Sequence, residues 1–84
     1  MKIVYDPPKR ASNLDKHGLD FADLEDGAFF EDAVVIPSRD GRFKAVGWLG
    51  AIMVVVVVFK PLGTQALSVI SMRPANRKER TLLP

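Results

Sequence analysis

Nine consecutive apolar residues, Ala51 to Phe59 (AIMVVVVVF), constrain this chain more than any other feature. The run is well short of the roughly 20 residues a membrane-spanning helix needs. Five of the nine are valines in an unbroken row, and β-branched side chains favour a strand over a helix. A strand sends successive side chains to opposite faces, so one that is apolar on both sets is buried on both sides and sits in the middle of a sheet. Helices are expected to cover one face. In a chain of 84 residues the cover for the other is expected from a partner protein or a second copy, giving self-association or a hetero-oligomer.

The rest of the pattern builds a sheet around that strand. AVVI (33–36), RFKAVGWL (42–49) and ALSVISM (66–72) alternate with the turn segments PSRDG, Gly50 and KPLGTQ, which reads as an antiparallel meander. KIVY, ahead of Asp6, is a further short strand. Asp6 as N-cap, Pro7 at the first helical position and Gly18 as a left-handed stop predict a helix between them. At ~100° per residue, Lys9, Asn13, Lys16 and His17 fall in one arc, with Ala11 and Leu14 on the neighbouring apolar stripe.

A second helix is predicted from Asp20, with Leu19 and Leu24 stapling its start and Phe21, Leu24 and Ala28 facing the core. Its outer face carries Asp20, Asp23, Glu25, Asp26, Glu31 and Asp32, a surface RNA should avoid. Pro74 is expected to open a short C-terminal helix on which Arg73, Arg77 and Arg80 form one stripe at i, i+4 and i+7. The predicted architecture is therefore α+β, a small single domain over residues 1–84: an antiparallel meander sheet with two N-terminal helices and a short C-terminal one.

Charge is divided unevenly. Residues 1–42 hold six Lys/Arg against nine Asp/Glu, net −3, whereas residues 43–84 hold six against one, net +5. The second half is suited to a polyanion, although basic residues near a C-terminus also serve simply as a solvated face. No cysteine and a single histidine leave no thiolate or histidine cage for a metal, and neither a metal nor another cofactor is expected. The N-terminal MKIVYDPPKR has no apolar signal segment, so a cytoplasmic location and no membrane association are expected.

P-loop, dinucleotide-binding and nucleophile-elbow motifs are all missing. One histidine, several Arg and Lys, and a few carboxylates still suffice for one reaction, cleavage of RNA by its own 2′-hydroxyl. There the substrate supplies the nucleophile, and the protein moves protons and stabilises charge on phosphate. Each candidate also has a structural reading. A Lys-His pair before a C′ glycine complements the helix dipole, Asn13 is an ordinary helix-surface residue, and Trp48 belongs half-buried on a strand.

YDPPKRASNLDKHGLDF (5–21) resembles the N-terminal signature of the BrnT family of toxins: an Asp-Pro-x-Lys segment, Asn-Leu-x-Lys-His-Gly, then Phe. VISMRPANRKER (69–80) is similar to that family's C-terminal signature, Ile-Ser-x-Arg, a small residue, then Glu-Arg. Asp6, Lys9, Asn13, Lys16, His17 and Gly18 match the first motif; Ser71, Arg73, Ala75, Glu79 and Arg80 match the second. The resemblance implies a RelE-like fold and an endoribonuclease of a type II toxin-antitoxin pair, inhibited by a BrnA-like antitoxin through which DNA would be bound only indirectly.

In such a site His17 is the proton-transfer candidate, and Arg73 and Arg80 stabilise the phosphate and transition state. Lys9 and Lys16 hold flanking phosphates, with Asn13 and Arg77 also on the RNA, while Glu79 orients an arginine or acts as an alternative base. The chain departs from the family pattern at Ser68, where an arginine is usual, and at Leu83, where an aromatic residue is usual. Two functions of different class follow: a metal-independent endoribonuclease, or a catalytically silent interaction module that binds a DNA-binding partner.

Overall fold

The structure, a computed structural model, describes residues 1–84. Its elements in chain order are β1 (Lys2–Val4), α1 (Pro7–His17), a 3₁₀ turn (Phe21–Leu24), α2 (Ala28–Glu31), β2 (Val34–Pro37), β3 (Phe43–Leu49), β4 (Met53–Leu62), β5 (Ala66–Pro74) and α3 (Arg77–Arg80). They form an α+β fold with one five-stranded sheet in the order β1-β5-β4-β3-β2. β2 to β5 make the expected antiparallel meander, and the valine-rich β4 lies at the centre. β1 adds in parallel to β5, pairing with Ala66 to Ser68 only. A parallel neighbour needs a long crossover, here all of the chain between them.

The first face of the sheet holds the main core: Ala45, Val55, Val57, Phe59, Leu67, Val69 and Met72 pack against Leu19, Phe21, Leu24 and Phe29. The 3₁₀ turn opens as expected, with the Asp20 side chain accepting from the Ala22 N–H. The second helix is not continuous: Gly27 at φ 77° separates the 3₁₀ turn from the single turn of α2. Phe29, not the expected Ala28, therefore points into the core. Gly47 lets α2 lie close, since a Cβ there would stand 3.1 Å from the Phe29 ring and 3.2 Å from the Ala33 Cβ.

The second face corrects a further expectation. Val54 and Val56, with Val46, are covered by this chain's own C-terminal segment, through Ala75 and Leu83. The central strand thus finds both covers within 84 residues, and it supplies no reason for self-association. The apolar residues that remain outside lie elsewhere: Ile52 is 86% exposed in the turn before β4 instead of in the strand, and Trp48, 54% exposed, is about half-buried on β3 as expected.

α1 runs as predicted from Pro7 to His17 and stops at Gly18, at φ 68°, whose N–H donates to the Leu14 carbonyl. The Asp6 side chain makes no capping bond. Its attachment differs from the prediction, because Leu14 is 43% exposed and the one buried side chain of the helix is Asn13. Beyond Ser68, β5 has no strand on its outer side, and α1 lies along that open edge. Asn13 Oδ1 accepts from the Met72 N–H at 3.0 Å, and Asn13 Nδ2 donates to the Leu19 carbonyl at 3.1 Å. A bidentate pair from Arg10 to Asp20, at 2.6 and 2.9 Å, and a bond from the Tyr5 hydroxyl to Glu25 fasten the same region. Arg10 holds the Asp20 carboxyl down at about 2.

Candidate functional site

The site is assembled by an irregularity in β5. Val58 pairs with Ser71 and Phe59 with Val69, so Ile70 is the extra residue of a β-bulge. Strict alternation from the buried Leu67 and Val69 would turn Ser71 and Arg73 inward. The bulge changes the parity, so Met72 enters the core and Ser71 and Arg73 face the other way. They join Lys44, Val46, Val56 and Val58 on the second face of the sheet.

At this edge α1 and β5 enclose a shallow cleft of about 220 Å³ lined by Lys9, Ser12, Asn13, Lys16, His17, Ile70 and Ser71. All four candidates of the first motif therefore meet, and Ser71 of the second motif meets them. Lys9, Lys16 and His17 are exposed. Asn13 needs correction as an RNA contact: it is 7% exposed and both ends of its amide bond the protein, so it holds the cleft's two walls together.

Arg73 lies two residues beyond Ser71 on the same face, about 7 Å along the strand. The expected arginine stripe does not form, because Pro74 ends β5 and α3 begins only at Arg77. Arg73 thus points from a strand, while Arg77 and Arg80 share the single turn of α3 and lie outside the cleft. The turn is held by a capping box, Asn76 accepting from the Glu79 N–H and Glu79 accepting from the Asn76 N–H. Arg80 Nη1 donates to the Ala75 carbonyl at 3.0 Å.

Glu79 also receives Arg73 end-on, from Nη1 at 2.8 Å and Nη2 at 2.7 Å, with the carboxylate side chain only 14% exposed. A guanidinium has five N–H groups. With Nη1 also reaching the Pro74 carbonyl, the Nε–H and one Nη2–H stay uncommitted, which is the side-on fork that suits a phosphate. Hydrogen bonding by Arg73 holds the Glu79 carboxyl down at about 2 from an ordinary 4.5; burial opposes this, and the Asn76 N–H and the fields of Arg73 and Lys44 add to it. Such a carboxylate accepts a proton poorly near neutral pH, and both of its oxygens already accept from Arg73.

The pair also has a pH signature. Glu79 lies lower in the folded chain than its ordinary 4.5, so its stabilisation is complete above about that value and is lost as pH falls toward about 2. Thermal melts should therefore decline less steeply through this window for Glu79→Gln than for the unaltered chain. Parallel declines would show that the pair adds no stability.

Lys44 and Ser71 were given no role by the sequence argument. Their signal was the polar residue at every second position of RFKAV and SVISM, which the bulge hides in the second case. No group of three or more His, Cys, Asp or Glu side chains is placed to hold a metal ion, and no helix is long and apolar enough to cross a membrane.

Comparison with known proteins places these features in context. Residues 5–79 match the family model described as ribonuclease toxin, BrnT, of type II toxin-antitoxin system. A crystal structure of the Brucella abortus ribonuclease toxin, BrnT, at 1.1 Å resolution is 51% identical, with a TM-score of 0.84, over 92% of this chain and 99% of that one. Among curated proteins there is no match.

Proposed function

Because the chain belongs to the BrnT family, the ribonuclease toxins of type II toxin-antitoxin systems, we propose that it cuts RNA in the cytoplasm without a metal, using the substrate's own 2′-hydroxyl. The observation that carries this reading is the cleft in which His17, Lys9 and Lys16 meet Ser71, two strand positions from an arginine with an open fork.

In the proposed reaction the 2′-oxygen attacks phosphorus, losing its proton, and the P–O5′ bond breaks as the 5′-oxygen gains one. The product pair is a 2′,3′-cyclic phosphate and a 5′-hydroxyl. His17, at an exposed helix end, is the proton carrier: it takes the proton from the 2′-hydroxyl and gives one to the 5′-oxygen, ending as it began. Arg73 stabilises the charge that builds on the phosphoryl oxygens, and its orientation by Glu79 means that little reorganisation is needed on binding. Lys9 and Lys16 hold flanking phosphates, while Arg80 and Arg77 extend the positive edge at α3. A BrnA-like antitoxin is the proposed inhibitor.

Incubation of the purified chain with single-stranded RNA tests the chemistry. Products ending in 2′,3′-cyclic phosphate, formed equally well with EDTA, are expected, and an RNA with 2′-deoxyribose at the scissile position should bind and stay intact. Cleavage abolished by EDTA, or cleavage of the deoxy-substituted RNA, would overturn the mechanism.

A further inference from the structure

Of the six lysines only Lys44 is withdrawn from solvent, and it is partly buried in the middle of β3. Register places it in one cross-strand row with Ile36, Val58 and Ser71, next to the row of Val34, Val46, Val56 and Arg73. Its ammonium is close enough to Glu79 to lower that carboxyl. It nevertheless forms no ion pair, the two pairs of the molecule being Arg10–Asp20 and Arg73–Glu79. Glu79 is already served by Arg73 and by the Asn76 N–H. No side-chain nitrogen is buried without a partner, so the unpaired Lys44 ammonium still reaches solvent, on the face where Arg73 presents an unfilled fork.

We propose that Lys44 is a second phosphate-binding residue: RNA crosses this face from the α1 edge over β5 and β4 to β3, with Arg73 holding one phosphate and Lys44 the adjacent one. Two strand spacings separate β5 from β3, about 10 Å, and the long flexible stem of a lysine closes part of that distance over Val58. The row through Ser71 carries no carboxylate, and Lys44 is its one charged residue. The inference rests on the ribonuclease reading of the site and adds a subsite to it.

The test measures binding instead of cleavage. A 2′-O-methyl oligonucleotide of mixed sequence cannot be cut through its 2′-oxygen, and its affinity is titrated against salt. Lys44→Met keeps the aliphatic stem and removes the charge. It should weaken binding roughly tenfold and reduce the log–log salt slope by about 0.7, the value of one phosphate contact on a single strand. Lys44→Arg should restore the slope, and Lys44→Gln replaces Lys44→Met if the latter lowers Tm. An unchanged slope in the charge-removing variant, with or without weaker binding, overturns the proposal and leaves Lys44 as a support for the Arg73–Glu79 pair. If the unaltered chain does not bind the oligonucleotide at all, the ribonuclease reading and this inference fall together.

Discussion

His17→Gln is expected to slow RNA cleavage roughly 10²- to 10⁴-fold, the range that general acid-base transfer supplies. Glutamine keeps a polar side chain of similar reach at the end of α1 but does not titrate. His17 is exposed, in the last turn ahead of the left-handed Gly18, so its structural value is that of a dipole or capping interaction and the stability change should stay below about 1 kcal/mol. Single-turnover cleavage and thermal melts on the same preparation separate the two effects. A variant that cuts at the full rate but melts much lower would make His17 a helix terminator. The proton carrier would then be sought at Lys9 or Lys16, which line the same cleft, or at Glu79, which holds Arg73 beside it.

Asn13→Ala should give the largest loss of stability of any substitution in the cleft. It leaves the Met72 N–H and the Leu19 carbonyl without their partner, and an unsatisfied buried polar group costs about 1–3 kcal/mol. Together these amount to about 2–6 kcal/mol, or a fall in Tm on the order of 10 °C or more for a domain of this size. Cleavage assayed below the new Tm should fall as well, because the bond from the Met72 N–H fixes α1 against β5 and so sets the distance between His17 and Ser71. A variant that melts with the unaltered chain yet loses RNA would return Asn13 to the substrate side.

Much of the architecture follows from local chemistry. The start and end of α1 are written in Pro7 and Gly18, the turn at Asp20 in its side-chain cap, and the central place of β4 in a run of valines apolar on both faces. These features depend on residues within a turn or two of each other, so periodicity and capping rules reach them. The gathering of Lys9, Lys16 and His17 on one side of α1 belongs to the same class, since it needs only the helical repeat.

The remaining features depend on which residue stands opposite which, and adjacent residues do not encode that. Alternation in SVISM assigns Ser71 and Arg73 to the core, and only the pairing of Val58 with Ser71 and Phe59 with Val69 forces Ile70 out of register and turns both toward Lys44. The open edge of β5 beyond Ser68 makes Asn13 a buried clamp while Leu14, the more apolar residue, stays half-exposed. A backbone N–H left unpaired inside the protein costs more than one leucine in water gains by burial at the rim. The cover for Val54 and Val56 likewise comes from Ala75 and Leu83 at the far end of the chain. The end-on grip of Glu79 on Arg73 exists because Pro74 ends the strand and lets the chain fold back before α3. Helical and strand periods placed the charged groups along the chain; long-range register decided which of them share a face, because moving one residue in a strand reverses every side chain beyond it.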